Sequence, residues 1–423
     1  MNSTGLGWLS AILSALGMLL MSPVALGFVC VILISLTARS TNIVSGNVLG
    51  GAWLAITVGL GVVFWHSRRA LQGKPSARVR LPRAWVLAAG FGVCVFIGVT
   101  MTGNVLTAGL IAPPLILIAA AIPPLAAMAW FAPNLPDALS WRRGTVAFVG
   151  GATASVALAF ALEIILPFAV LVGMLAFGNT AIRGAERLLS EVIGGRGAQA
   201  LTSSSFVYAF IHGALIAPLA EEIVKPLIVL PLIRRLERRE AFLVAAFAGA
   251  GFAALENILY ASAATGYWAG LLIVRGIGGA VHPLGAGLVG LAWRDLLRRE
   301  HHAWRNGLAR FGLAVGLHAL WNGGALIVFA LLGAQFFGKP PPALNLLGFS
   351  AAGLVLAFLI VLGLATFGVG RSVAENTTPF RLRVPTSFET QFTVSDRAVA
   401  IWALVWLALV VPLGIAVLRA LFR

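Results

Sequence analysis

Between residues 200 and 335 this sequence puts ionisable side chains into stretches that are otherwise apolar. APLAEEIVKP carries Glu221, Glu222 and Lys225; GFAALENILY carries Glu256 and Asn257; VRGIGGAVHPLG carries Arg275 and His282; LHALWNGG carries His318 and Asn322. Such residue types can hydrolyse a peptide bond. A carboxylate or imidazole held in a low-dielectric site can be poised to deprotonate water. His318 and Asn322, at i and i+4 on one helical face, can donate to the oxyanion of a tetrahedral intermediate, a contribution on the order of a few kcal/mol per donor. Glu221 and Glu222 project roughly 100° apart, so one can face the water while the other pairs with Lys225 or Arg275. Glu221 to Lys225 is the i, i+4 spacing that suits such a pair. These residues leave the water-activating group open among Glu221, Glu222, Glu256 and His282. The reading requires no cofactor; its alternative is Zn2+ held by His282, His318 and Glu222 as a His2Glu set, although no HExxH pattern occurs.

The elements that must position these groups are membrane helices. Of the 423 residues 60% are apolar and 10% charged, with a mean hydropathy of +0.96, which excludes a fully water-solvated surface. A helix needs roughly 20 apolar residues to span the hydrocarbon. Such stretches recur near 7–36, 44–65, 84–103, 105–131, 144–177, 203–233, 241–264, 268–293, 308–335, 345–369 and 398–418. None alternates with the period of two that barrel strands need. The expected fold is all-α, a polytopic transmembrane helical bundle of about 11–12 helices, the count depending on whether 7–36 is one helix or two. The four chemistry-bearing stretches are then consecutive helices. At about 1.5 Å per residue from their basic ends, the Glu pair, Glu256, His282, His318 and Asn322 all lie about 15 to 22 Å deep. Independent structural polar residues have no reason to share a level. The chain divides accordingly into accessory helices over 1–199, a four-helix core over 200–335, and C-terminal helices over 336–423 with a polar loop at 371–397.

Thirty basic side chains against 14 acidic ones give a formal charge of +16. In a soluble protein this would suggest nucleic acid. Here the basic residues lie between apolar stretches, so they read as orientation signal and contact with anionic lipid, with no nucleic-acid partner. The loop from His66 to Arg83 holds Arg68, Arg69, Lys74, Arg78, Arg80 and Arg83 and no acid, which places it in the cytoplasm. Arg142-Arg143, 234–240 and 294–310 fall on the same side if 144–177 crosses once. The stretch 178–202 reads as an external interfacial helix. The first 21 residues lack a basic n-region and read as a membrane segment rather than a cleaved signal. Cys30 and Cys94, far apart in sequence, offer no disulfide framework.

In order along the chain, Glu221-Glu222-x-x-Lys225, Phe252-x-x-x-Glu256-Asn257, Arg275 through His282-Pro283, and His318-x-x-Trp321-Asn322 resemble the motif set of the PrsW intramembrane proteases. That family shares a superfamily with the CAAX prenyl endopeptidases and the bacteriocin-processing or self-immunity proteases. The resemblance spans residues 200–335. It implies a glutamate-dependent intramembrane endopeptidase of the bacterial cytoplasmic membrane, acting on a membrane-anchored protein such as an anti-sigma factor. By motif position it implies that Glu221 activates the water, that Glu222 orients it or shares the proton, and that His318 and Asn322 form the oxyanion site. The prenyl-endopeptidase patterns are EExxxR, FxxxH and HxxxN, and this sequence departs from them twice. Glu256 stands where that branch has His, so a second imidazole must come from His282 or Glu256 must act as a carboxylate. Lys225 comes one position earlier than the Arg, which leaves the partner of Glu222 open.

Structural roles compete with these functional ones. Glu221, Glu222 and Lys225 can form a charge-compensated cluster, Glu256 can answer Arg275, and His282 can bond a carbonyl exposed by a kink at Pro283. His318 and Asn322 can join helices by hydrogen bonds. Phe252, Tyr260 and Trp321 read as packing residues. Glu163, alone in ALEIILP, reads as salt-bridged to a core Arg or protonated, with a gate or proton-transfer role as its alternative. His66, His301 and His302 read as solvated loop residues, and His212 as a minor candidate on the Glu221 face. Pro113-Pro114 and Pro123-Pro124 are expected to kink or break their segment. Two other functions suit the same groups: a proton-coupled transporter with a Glu/His relay, and a scaffold that binds a partner's transmembrane helix. The paired broken-helix repeats common in transporters do not occur.

Overall fold

In hydrocarbon a helix is the element that satisfies its own backbone, and the apolar stretches of this chain fold accordingly. The computed structural model describes residues 43–101, 105–133, 139–166, 189–190, 195–336, 346–376 and 395–408, with Trp8 and a few positions between 11 and 19. The helices are α1 (Ile43–Leu71), α2 (Ala84–Thr100), α3 (Val105–Phe131), α4 (Trp141–Ile165), α5 (Gly195–Thr202), α6 (the run from Ser204 to Ile233) and α7 (Arg238–Ala263). They continue as α8 (Trp268–Ile277), α9 (Val281–Arg298), α10 (Ala303–Phe336), α11 (Leu346–Asn376) and α12 (Asp396–Ala408). Among the described residues there is no strand. Six helices are long and apolar enough to cross a membrane, or seven if the bent pair α8 and α9 is one span. The protein is an all-α polytopic bundle.

Its axis is α7. Of the most apolar window of α7, 83% is buried inside the protein, against 28% for α1, α4, α10 and α11. It packs along α3, α4 and α9, and α9 packs in turn along α10. Lipid tails supply no hydrophobic drive between helices, so close backbone contact matters more than side-chain bulk. Gly151 of α4 and Gly251 of α7 permit that contact: a Cβ on either would strike the backbone of Ala248 or of Phe148 on the facing helix.

The basic loops meet at one end of the bundle. Arg142, fully buried, donates to the carbonyls of His66 (3.1 Å) and Lys74 (2.8 Å) and pairs with Asp396. Its neighbour Arg143 pairs with Glu240 at the start of α7. Arg294 of α9 donates to the Leu236 carbonyl at 2.9 Å and pairs with Asp295 at 2.8 Å, which Arg310 also reaches at 2.7 Å. The four loops expected on one side of the membrane thus share one end.

The segmentation departs from expectation in several places. α3 runs without a break through Pro113-Pro114 and Pro123-Pro124. Two carbonyls that these prolines deprive of a helical donor are met from other helices: Asn47 donates to Gly109, four residues before Pro113, at 2.7 Å, and Asn257 to Ala120, four before Pro124, at 2.9 Å. The stretch 268–293, expected as one helix, breaks between Ile277 and Val281, and α8 and α9 meet at 41°. The interruption falls at Gly278-Gly279-Ala280. Pro283 lies in the first turn of α9, where a missing N–H costs nothing, so it exposes no carbonyl for His282. α11 continues to Asn376 with an Arg371–Glu375 pair at 2.8 Å, so the polar loop does not begin at 371. α1 continues to Leu71, which makes His66 a half-buried helical residue; His301 and His302 are exposed in a turn. Most of 7–36 and of 178–202, and the ends of 144–177 and 398–418, lie outside the described residues.

Candidate active site

α6 changes pitch four times. It is α-helical over Ser204–Ile211, makes a π turn over His212–Ile216, returns to α over Ala217–Val224, tightens to 3-10 over Lys225–Val229 and ends in Leu230–Ile233. The last three segments each open on a proline at their first or second position: Pro218, Pro226 and Pro231. At the π turn Ala217 N–H reaches back to the His212 carbonyl. The next π partner would be Pro218, which has no N–H. The Gly213 carbonyl is satisfied instead by Asn322 Nδ2 of α10, at 3.0 Å. A missing backbone donor thereby fixes α6 against α10 about two turns before the glutamate pair.

All nine polar residues singled out in the four stretches converge. Lys225 Nζ lies 3.0 Å from Glu221 Oε2 and 2.7 Å from Glu222 Oε1, so the lysine serves both acids rather than one. Its ammonium also stands 4.7 Å from the centre of the Phe252 ring, which stacks on His282. Glu256 pairs with Arg275 at 2.7 Å, and Arg275 also bonds Asn257 and lies over the Tyr260 ring. Glu221, Glu222, Lys225, His282 and His318 are buried. Trp321 packs against Gly278, where a Cβ would overlap its ring.

The two imidazoles are arranged alike. His318 Nδ1 lies 3.0 Å from Glu222 Oε1, and His282 Nε2 lies 3.1 Å from Glu256 Oε2. A carboxylate can only accept, so each of these nitrogens carries the proton and the other is left with its lone pair. Those other nitrogens turn toward one atom: Glu221 Oε2 is 3.7 Å from His282 Nδ1 and 3.8 Å from His318 Nε2. Both distances are too long for hydrogen bonds. They approach the roughly 3.4 Å that separates neighbouring ligands around a tetrahedral ion with bonds of about 2.1 Å. His282 Nδ1 is buried with no hydrogen-bond partner, and Glu221 Oε2 is buried with no hydrogen bond beyond its ion pair with Lys225. The three candidate ligand atoms lie within 4.8 Å of one another. A carboxylate oxygen and two imidazole lone pairs, each imidazole fixed by a carboxylate behind it, are a donor set that fits a divalent transition metal, with Asn322 Nδ2 3.2 Å from His318 Nε2.

A family model described as PrsW family intramembrane metalloprotease matches residues 140–364, just over half of the chain. The chain belongs to the PrsW family. No curated protein and no solved structure matches it. As a PrsW-family protease it is an integral membrane peptidase, and intramembrane proteolysis is its class of activity. The family match begins at Ser140, so it takes in α4, which the motif resemblance left among the accessory helices.

Sequence reasoning missed several groups in this PrsW-family site. Gly285 makes room for Glu222, since a Cβ there would lie 2.8 Å from Glu222 Cδ. Its signal was its place three residues after His282, on the same face. Pro218 and the Gly213 carbonyl acquire a role only through the π turn. Glu163 faces the site, and His212 borders it in a cavity that Asn322 also lines.

Proposed function

We propose that this chain is a metal-dependent intramembrane endopeptidase that cleaves a membrane-anchored regulatory protein in the bacterial cytoplasmic membrane. Glu221, His282 and His318 would hold Zn2+. The observation that carries the reading is the pair of imidazoles whose unprotonated nitrogens face Glu221 Oε2 at 3.7 and 3.8 Å. The family's description as a metalloprotease agrees with it. When bound, such an ion supplies a Lewis acid that polarises a peptide carbonyl and acidifies water.

The chain's own residues do the rest. Glu222 and Glu256 hold the two imidazoles in the tautomers that face Glu221, and Arg275 anchors Glu256. Glu222 Oε2, buried without a partner, takes the proton of the attacking water. Lys225 balances the adjacent carboxylates, so that both can stay ionised in a site closed to bulk water. Asn322 Nδ2 donates to the Gly213 carbonyl and lies 3.2 Å from His318 Nε2; with that nitrogen on the metal, its second N–H would be released to the carbonyl oxygen of the bound peptide. Relative to the conditional zinc set of His282, His318 and Glu222, this proposal assigns the ligand carboxylate to Glu221.

One observation favours a metal-free glutamate mechanism: Lys225 Nζ sits 3.0 Å from the oxygen assigned to the metal. Elemental analysis of the purified protein, with cleavage of a co-reconstituted single-pass reporter, separates the two. The proposal expects about one zinc per chain, lost in Glu221→Ala, and cleavage that chelation abolishes and zinc restores. Full cleavage by metal-free protein overturns the zinc assignment in favour of the glutamate mechanism.

A further inference from the structure

A cavity of about 370 Å3 leads from Glu221 and Glu256 to α4. Its α4 wall is Val156, Ala159, Phe160 and Glu163, a 0, 3, 4, 7 spacing that puts all four on one helical face. The π turn Gly151–Ser155 precedes that face and sets its register; it takes in one extra residue and rotates everything after it. A second cavity of about 470 Å3 adjoins on the Arg275 and Trp321 side and shares His212, Tyr260 and Asn322 with the first. The metal-facing atoms therefore lie beside a cleft with room for side chains of a bound polypeptide.

Glu163 is the exception among the carboxylates. Every other acidic side chain in a described helix has a cation within ion-pairing distance: Glu221 and Glu222 have Lys225, Glu240 has Arg143, Glu256 has Arg275, Asp295 has Arg294, Glu375 has Arg371 and Asp396 has Arg142. Glu163, half-buried on an apolar helix, has none among the described residues. The cation nearest in charge interaction, Lys225, is occupied by the glutamate pair. The α4 wall beside the carboxylate is apolar, Val156, Ala159 and Phe160, which suits the methylene stem of a long basic side chain with its charged head on the acid.

We propose that Glu163 is the receiving group of a substrate subsite: it binds the ammonium or guanidinium of a Lys or Arg in the polypeptide whose scissile bond lies at Glu221. This inference rests on the peptidase reading. The test is cleavage, by the full-length protein in nanodiscs, of synthetic single-span peptides along which one Lys, or one Gln as its neutral match, is walked. Wild type should prefer Lys over Gln about tenfold or more at one fixed offset from the cleaved bond, as a formed charge pair allows. Glu163→Gln should reduce that ratio to less than about twofold, and Glu163→Lys should favour a Glu at the same offset over Lys. Thermal unfolding of each variant checks that the bundle is intact. Cleavage with no Lys preference, or a preference that Glu163→Gln leaves intact, overturns the subsite alone. If wild type shows no cleavage beyond that of Glu221→Gln, the peptidase reading falls and the subsite with it.

Discussion

The bundle buries charge in two places and treats it in opposite ways. At the basic end, Arg142 and Arg294 are turned inward and answered from several directions: Arg142 by Asp396 and two carbonyls, Arg294 by Asp295 and the Leu236 carbonyl, with Arg310 completing Asp295. In the site, Glu222 Oε2 and His282 Nδ1 are equally buried and have no hydrogen-bond partner, and Glu221 Oε2 has the Lys225 ammonium at 3.0 Å but makes no hydrogen bond. Burial without a partner costs stability, so an arrangement that serves only the fold completes its pairs. The site instead keeps lone pairs open, as a group that must bind something requires.

The largest break in this contrast is expected from Glu221→Gln. Reporter cleavage should fall by roughly a thousandfold or more while the protein accumulates normally, because the substitution removes the converging oxygen's charge and keeps its volume. Arg294→Met should do the reverse. Leaving Asp295 buried with a cation removed should destabilise the protein by about 3–5 kcal/mol in detergent unfolding, with specific activity of the folded fraction retained. Glu256→Gln frees the His282 tautomer without touching the metal-facing atoms. Zinc affinity, read by competition with a chromophoric chelator, should fall about 10- to 100-fold. The smallest effect tests the origin of the α6–α10 contact. If Pro218 leaves the Gly213 carbonyl to Asn322, then Asn322→Ala should cost about 1 kcal/mol less in a Pro218→Ala background, where a backbone N–H is restored. Equal costs in both backgrounds would remove the proline from the account.

The helical class and the grouping of chemistry in four successive stretches could be read from the sequence, because both follow from local composition: an ionisable group in an apolar run is visible wherever it falls. Pairings within one turn were equally readable, as with Glu221 and Lys225. Pairings across helices were readable only as options. Glu256 with Arg275 was one, and it forms. The continuity of α3 was misjudged because the Asn side chains that meet its freed carbonyls lie 62 and 137 residues away. The break after Ile277 was misjudged because a Gly-Gly-Ala step inside a membrane helix is tolerated as often as it interrupts. Glu163 read as salt-bridged to a core Arg or protonated; the fold gives it no cation among the described residues and turns it toward the cleft.

By itself, then, the sequence determined that this protein lives in a membrane, and which four segments carry its chemistry. It also fixed which residue types are available, since hydropathy and side-chain identity are properties of each stretch alone. The tertiary structure decided which nitrogen of each histidine turns toward Glu221, which of two adjacent glutamates faces them, and that a carboxylate from α4 joins the same cleft. Those outcomes depend on helix rotation and on distances of a few ångströms between separate helices, and a π turn or a proline hundreds of atoms away can change either.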